Sequence, residues 1–323
     1  GSVTERRRAG GATGNLGIFI EDDWQIGPMI INGGLRADRS SITGGFYRAV
    51  SAQGALVSEV IAPDRSDWSL SWRAGALFYA TRRLDLRAAA YTGLRLPTLN
   101  ELYRPFVVFP VVTEANADLK NERLKGFEAG LELRPTPEVR FSLTAFDNRV
   151  EDAIANVTLA PNLRQRQNLP AIDAQGVEAA LRARVGAWRF DGSLAYTDAE
   201  IDGRDSSEAL DGNLPPQTPR WAASATLAWM PNAGLELAAT IRHTGAQFED
   251  DQQTDRLPAA TTIGIFGRVR LMNQLDLVMR GDAAAGRDRH DGVVHRHRHR
   301  RQLQRPADHH RALGPDRASG RAG

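Results

Sequence analysis

One pattern governs what this chain can fold into. Apolar and charged residues alternate with period two, over runs of about ten residues, and the runs recur along most of the sequence. In 124–134, Phe127, Ala129, Leu131 and Leu133 alternate with Glu128, Glu132 and Arg134. After a break at Pro135-Thr136-Pro137, Val139, Phe141, Leu143 and Ala145 alternate with Arg140, Ser142 and Thr144. The design repeats. Val177, Ala179, Leu181 and Ala183 stand against Glu178, Arg182 and Arg184; after Gly186-Ala187, Trp188, Phe190, Leu194 and Tyr196 stand against Arg189, Asp191 and Ser193. Successive side chains of a strand point to opposite faces, so each run is a strand with one apolar and one charged face.

The same reading places strands over 15–26, 30–39, 68–78, 84–91, 221–229, 235–242, 262–270 and 275–280. That makes roughly twelve strands, longer than the usual five or six residues of a globular sheet. Short breaks near Gly27, Thr81, Thr136, Gly186, Asn232 and Asn273 alternate with long connections at 40–67, 95–122, 156–170, 202–216 and 249–258. Short turns on one rim and long loops on the other are the pattern of an outer-membrane barrel. Trp68, Trp188, Tyr196, Trp221 and Trp229 fall at strand ends, where aromatic girdles meet the membrane surfaces. The expected fold is therefore all-β: an antiparallel transmembrane β-barrel, here an incomplete fragment of about twelve strands. A soluble sandwich or propeller would also alternate, with its apolar face turned to a core.

Composition is compatible with either. Apolar residues make up 41% of the chain, and mean hydropathy is −0.39, because faces that alternate between lipid and water average out. No apolar run reaches the roughly 18 residues of a membrane helix. No signal peptide is read at Gly1, so the chain is expected to be mature, a piece, or cytosolic. The absence of cysteine excludes disulfides and thiolate metal sites. Residues 284–323 hold ten Arg and four Asp, net +6, so with a total of +2 the rest of the chain carries −4. The basic character thus belongs to the tail.

Two segments resemble motifs of the TonB-dependent outer-membrane receptors. One is Ala89-Ala90-Tyr91-Thr92-Gly93-Leu94-Arg95-Leu96-Pro97-Thr98-Leu99-Asn100-Glu101-Leu102-Tyr103, an Arg and Pro followed by an "LNELY" run after a strand. The other is Asn116-Ala117-Asp118-Leu119-Lys120-Asn121-Glu122-Arg123, similar to an "N-x-x-L-K-P-E" run, with Asn121 where the family has Pro. The resemblance implies a barrel of about 22 strands filled by a plug. It further implies import of a scarce nutrient such as an iron-siderophore complex or cobalamin, energised by TonB. On that reading 1–14 is a partial loop, 15–283 is the C-terminal portion of the barrel, and the TonB-contacting region lies upstream. The tail 284–323 is expected to be disordered for want of apolar residues. Its His-rich run also admits a shifted reading frame: one base later, permitted codons for 295–302 give Thr-Gly-Ile-Ala-Thr-Asp-Gly. Continued, that frame resembles the family's closing "PRT" and last strand.

No enzyme constellation is present: no phosphate-binding Gly-rich loop and no Gly-x-Ser-x-Gly elbow. No cofactor, no metal site and no nucleic-acid partner are implied. His243, on an apolar parity near a strand end, reads as a girdle residue. The charges of the polar parity read as pairing with one another across strands. Ligand contact is expected in loop 95–122, where Arg95, Asn100, Tyr103, Arg104 and Phe106 combine cations with aromatics suited to an anionic chelate. The partners expected are a small-molecule ligand, outer-membrane lipid and TonB, with the outer membrane of a Gram-negative bacterium as location. A passive porin-like channel and a soluble β-rich binding module are the alternatives.

Overall fold

A computed structural model of the chain describes residues 4–203 and 207–285. The strands are β1 (Glu5–Ile26), β2 (Met29–Ser51), β3 (Leu56–Ile61), β4 (Arg65–Tyr79), β5 (Leu84–Arg95), β6 (Phe106–Val108), β7 (Val111–Glu114), β8 (Glu122–Thr136) and β9 (Val139–Ala160). They continue as β10 (Leu163–Val185), β11 (Trp188–Asp202), β12 (Trp221–Asn232), β13 (Leu235–Thr244), β14 (Gln247–Phe248), β15 (Arg256–Leu257), β16 (Ala260–Met272) and β17 (Leu275–Ala285). Among the described residues one short α-helix, α1 (Leu99–Tyr103), and a single 3-10 turn, Glu208–Leu210, interrupt them.

Twelve long strands form one antiparallel meander, in the order β1-β2-β4-β5-β8-β9-β10-β11-β12-β13-β16-β17. Each strand pairs with its sequence neighbour in the wall, as tight turns require. At Gly27 and Gly186 the turn begins with φ of +57°, a conformation that glycine adopts without a Cβ penalty. Among the described residues β1 pairs only with β2 and β17 only with β16, so the sheet is open along both edges.

The apolar parity does not close on a core. Ile18, Leu70 and Ile265 are 64%, 72% and 63% exposed, and they share a face with Trp24, Trp72, Leu194 and Ile241. The opposite face is laced by ion pairs. Arg134 bonds Asp85 and Glu132, each at 2.7 Å. A relay of alternating sign runs Arg182–Asp191–Arg189–Glu236–Arg268–Asp276–Arg270, with successive distances from 3.0 to 3.8 Å. This is the cross-strand pairing expected from the sequence, and it uses both signs on one wet face.

Several loops differ from expectation. Residues 5–14, expected as a loop, continue β1 and pair with the upper part of β2. Residues 156–170 extend β9 and β10 to a tight turn at Pro161-Asn162. Strand ladders are held by backbone bonds, so they continue past the apolar band without any alternation to announce them. The two small cores sit at this loop end. One joins Ile42, Ala62, Leu102, Tyr103 and Leu119; the other joins Ala153, Leu169, Ile201 and Leu210. The His-rich tail lies outside the described residues.

Candidate functional site

The segment between β5 and β8 is built around a capping box. Thr98 caps α1: its hydroxyl accepts from the Glu101 amide at 3.2 Å, while the Glu101 carboxylate accepts from the Thr98 amide at 2.7 Å. Arg95, the last residue of β5, bonds Glu101 at 3.1 Å and also pairs with Glu122. Its charge is thus taken up by two carboxylates that tie the strand end to the loop. Burial pushes the Glu101 carboxyl up, but the bonds from Thr98 and Arg95 outweigh it, and the group is held below the usual carboxylate value. Leu102 and Tyr103 turn into the first core and are almost fully buried.

After α1 the chain emerges as a hairpin. β6 and β7 pair Phe106 with Thr113 and Val108 with Val111. β7 also lies parallel to the start of β10, with Val112 opposite Leu163. Arg166 of β10 fixes the base of the hairpin. It donates to the Asn100 carbonyl at 2.7 Å and to the Arg104 carbonyl at 3.1 Å, and its guanidinium lies 5.1 Å from the Phe106 ring centroid. The hairpin tip is apolar and uncovered, with Phe109 92% and Val108 68% exposed. Arg104 is exposed beside it and makes no ion pair among the described residues.

The second motif segment is tied into the fold at three points. The Asn116 side chain donates to the Arg166 carbonyl at 3.0 Å, Leu119 is fully buried in the first core, and Glu122 accepts from the Ile154 amide at 2.6 Å. The structure therefore separates the five residues singled out in the sequence. Arg95 and Tyr103 organise the loop, and Asn100 contributes its carbonyl to Arg166. Arg104 and Phe106 stand at the exposed surface. Sequence reasoning missed Arg166 and the tip at Val108 and Phe109. The run of apolar residues over 106–112 inside a polar loop was the signal available. Among the described residues no cluster of three or more His, Asp or Glu is placed to hold a metal ion.

The aromatic residues mark the limits of the apolar face. Trp188 and Trp229 pair near the short-turn rim, with ring centroids 6.3 Å apart. Tyr196 and Trp221 pair near the loop rim. His243 lies on the same face close to that level and bonds Thr261 at 2.9 Å. Long antiparallel strands, an apolar face bounded by aromatics, an ion-paired opposite face and rims of unequal loop length define a transmembrane β-barrel wall of the outer-membrane type.

Residues 2–281 match the family model described as "TonB dependent receptor-like, beta-barrel", and the chain belongs to that family. It is 24% identical over 209 residues to a vitamin B12 transporter, BtuB, of Photobacterium profundum, covering 60% of this chain and 30% of that one. It is 26% identical over 145 residues to a ferrioxamine receptor of Yersinia enterocolitica, covering 44% of this chain and 20% of that one. The solved ferric yersiniabactin uptake receptor FyuA of Yersinia pestis superposes with a TM-score of 0.69 at 16% identity, over 86% of this chain and 41% of that one. These relatives are transporters and receptors, not enzymes, and the chain spans less than half the length of each.

Proposed function

We propose that this protein serves in the outer membrane of a Gram-negative bacterium as an active importer of a scarce nutrient, an iron-siderophore complex or cobalamin, energised by TonB. The family match over 2–281 carries this reading. The relatives named for vitamin B12 and ferrioxamine support the substrate class. The ligand meets the loop rim at the β6–β7 hairpin, where the charge of Arg104, unpaired among the described residues, and the ring of Phe106 lie beside the exposed tip. An anionic chelate with an apolar or aromatic part fits that combination. No covalent step is involved: the protein binds, and its charged face solvates the path.

The test is uptake of radiolabelled ferric siderophores and of cobalamin into cells that lack their own receptors and express this protein. One ligand is expected to accumulate only when TonB is present. Entry that persists without TonB and rises linearly with concentration would mark a passive channel instead.

A further inference from the structure

We infer that Arg166 of β10 is the positioning residue of the loop-rim site: it holds the ring of Phe106 in the orientation that a ligand meets, without touching the ligand itself. The inference rests on the ligand contact proposed at the β6–β7 hairpin. It goes beyond that contact by assigning the geometry of the site to a residue on another strand.

The hairpin is too small to hold itself. β6 is three residues long and β7 four, and a lone pair of such strands is marginal in water. The outgoing leg has anchors of its own. β7 lies parallel to the 163–165 stretch of β10, and the Val112 amide donates to the Asn162 carbonyl at 2.9 Å. The incoming leg lacks them. β6 pairs with β7 alone, and among the described residues the only side chain that bonds or stacks on 104–108 is that of Arg166.

Arg166 meets both legs. On the incoming side its Nη1 donates to the carbonyls of Asn100 and Arg104, at 2.7 and 3.1 Å. Arg104 is the C-cap of α1, and its own amide donates to the same Asn100 carbonyl at 3.1 Å. The guanidinium thus seals the helix end from which the hairpin springs, where carbonyls would otherwise lack partners. The same group lies 5.1 Å from the centroid of the Phe106 ring. On the outgoing side the Arg166 carbonyl accepts from Asn116 Nδ2 at 3.0 Å. One residue of the wall therefore ties down the segment 100–116 at its start and at its end.

The side chain serves as a fork and a flat face rather than as a counter-ion. Among the described residues Arg166 makes no ion pair. Burial lowers its pKa, and the charge of Glu101, beyond pairing distance, works in the opposite direction. Keeping an unneutralised cation half-buried costs free energy, and a neutral side chain would avoid that cost. Guanidinium alone supplies forked donors for two carbonyls together with a planar face for a ring. The contact with the ring also gains where water is excluded. A lysine would keep the charge and lose both the fork and the plane.

The experiment uses the full chain in detergent micelles, with 4-fluorophenylalanine at position 106 and its fluorine NMR line as the readout. In the wild type the line is expected to stand apart from its position in the urea-unfolded chain. Arg166→Lys and Arg166→Gln should both bring it most of the way to that position, and Arg48→Gln on β2 should leave it unmoved. The Lys variant keeps the cation and guards against a Gln variant that fails to fold. Binding is then titrated with ferrioxamine, a ferric tris-catecholate and cobalamin as probes. For the probe that binds, Arg166→Lys is expected to weaken affinity about tenfold when Phe106 is present, and less than about twofold in a Phe106→Ala background. A line that stays in place in both Arg166 variants overturns the inference. So do losses that multiply across the two backgrounds, which would make Arg166 a brace acting independently of the ring. Binding kept by Lys and lost by Gln overturns it too, by making Arg166 a direct charge contact. If no probe binds the wild type, the import reading falls, while the fluorine line still decides whether Arg166 positions the ring.

Discussion

Tyr196 of β11 and Trp221 of β12 face each other with ring centroids 4.6 Å apart and planes inclined at 48°. Along the same two strands toward the turn rim lies the Trp188–Trp229 pair. From Trp188 to Tyr196 the strand runs about 26 Å at ~3.3 Å per residue; a tilt of about 40° leaves about 20 Å across the membrane, comparable with the ~25 Å apolar band of such barrels. Lipids carrying a bromine or spin label near the headgroup are therefore expected to quench Trp188, Trp221 and Trp229, in variants retaining one Trp each, more than labels at the acyl end. A double-mutant cycle with Tyr196→Ala and Trp221→Ala, read by urea unfolding in vesicles, should return a coupling of about 0.5–1.5 kcal/mol. Uniform quenching at all depths would deny the girdle.

Arg95 and Arg104 lie at the two ends of the same short segment but meet different surroundings. Arg95 is held by Glu101 and Glu122, and Arg104 is exposed and unpaired among the described residues. Arg104→Ala and Phe106→Ala are expected to weaken nutrient binding about tenfold each, a loss of about 1.4 kcal/mol, with unchanged thermal stability. Arg95→Ala should instead loosen the loop and lower the melting temperature. Calorimetric titration of the purified protein alongside thermal scans separates the two; loss of binding in Arg95→Ala with stability intact would move Arg95 into the site.

Two loop carboxylates give the loop rim an acid limit. Burial raises Glu101, yet the bonds from Thr98 and Arg95 leave it below its ordinary value of 4.5. Burial likewise raises Asp250, and the amides of Thr254, Asp255 and Gln252 bring it below 3.8. A carboxylate depressed in the folded state adds stability that is full above its unfolded value and is lost as pH falls through the folded one. Protection of the Thr98 amide against hydrogen exchange should hold above pH 4.5 and decline below it, and that of Asp255 should decline below pH 3.8. In Glu101→Gln and Asp250→Asn the corresponding step should vanish.

The wall was legible from the sequence because alternation and turns are local signals. Trp188, Leu194 and Ile265 could be assigned a face from parity alone, and they occupy it. The loop end was not legible, because what holds it there is distant in sequence. Arg166 reaches Asn100 and Arg104, and Arg65 donates to the Leu119 carbonyl at 2.7 Å. No spacing rule announces such bonds. One signal was present and unread: Thr98 followed by Glu101 is a capping box, and it predicts α1 inside the "LNELY" run. Residue type alone points to Arg95 and Tyr103, but it cannot tell a binding cation from one already paired, or an exposed ring from a buried one.

Gly45 explains how that loop is seated on the wall. It is buried in a bulge of β2, where Gly44 and Gly45 together stand opposite Gly11 of β1, and a Cβ built on it would overlap the ring of Tyr103, itself 4% exposed. The ring lies flush on backbone because no side chain intervenes, and its neighbours in the core, Ile42 and Leu102, leave it nowhere to move. Gly45→Ala should therefore cost about 1–3 kcal/mol through overpacking. The penalty belongs to one contact, so Tyr103→Ala should remove it: in that background Gly45→Ala is expected to be nearly neutral, and the cycle measured by thermal unfolding should show strong coupling. The alternative, that Gly45 is required for backbone freedom at the bulge, predicts the same loss with or without the Tyr103 ring.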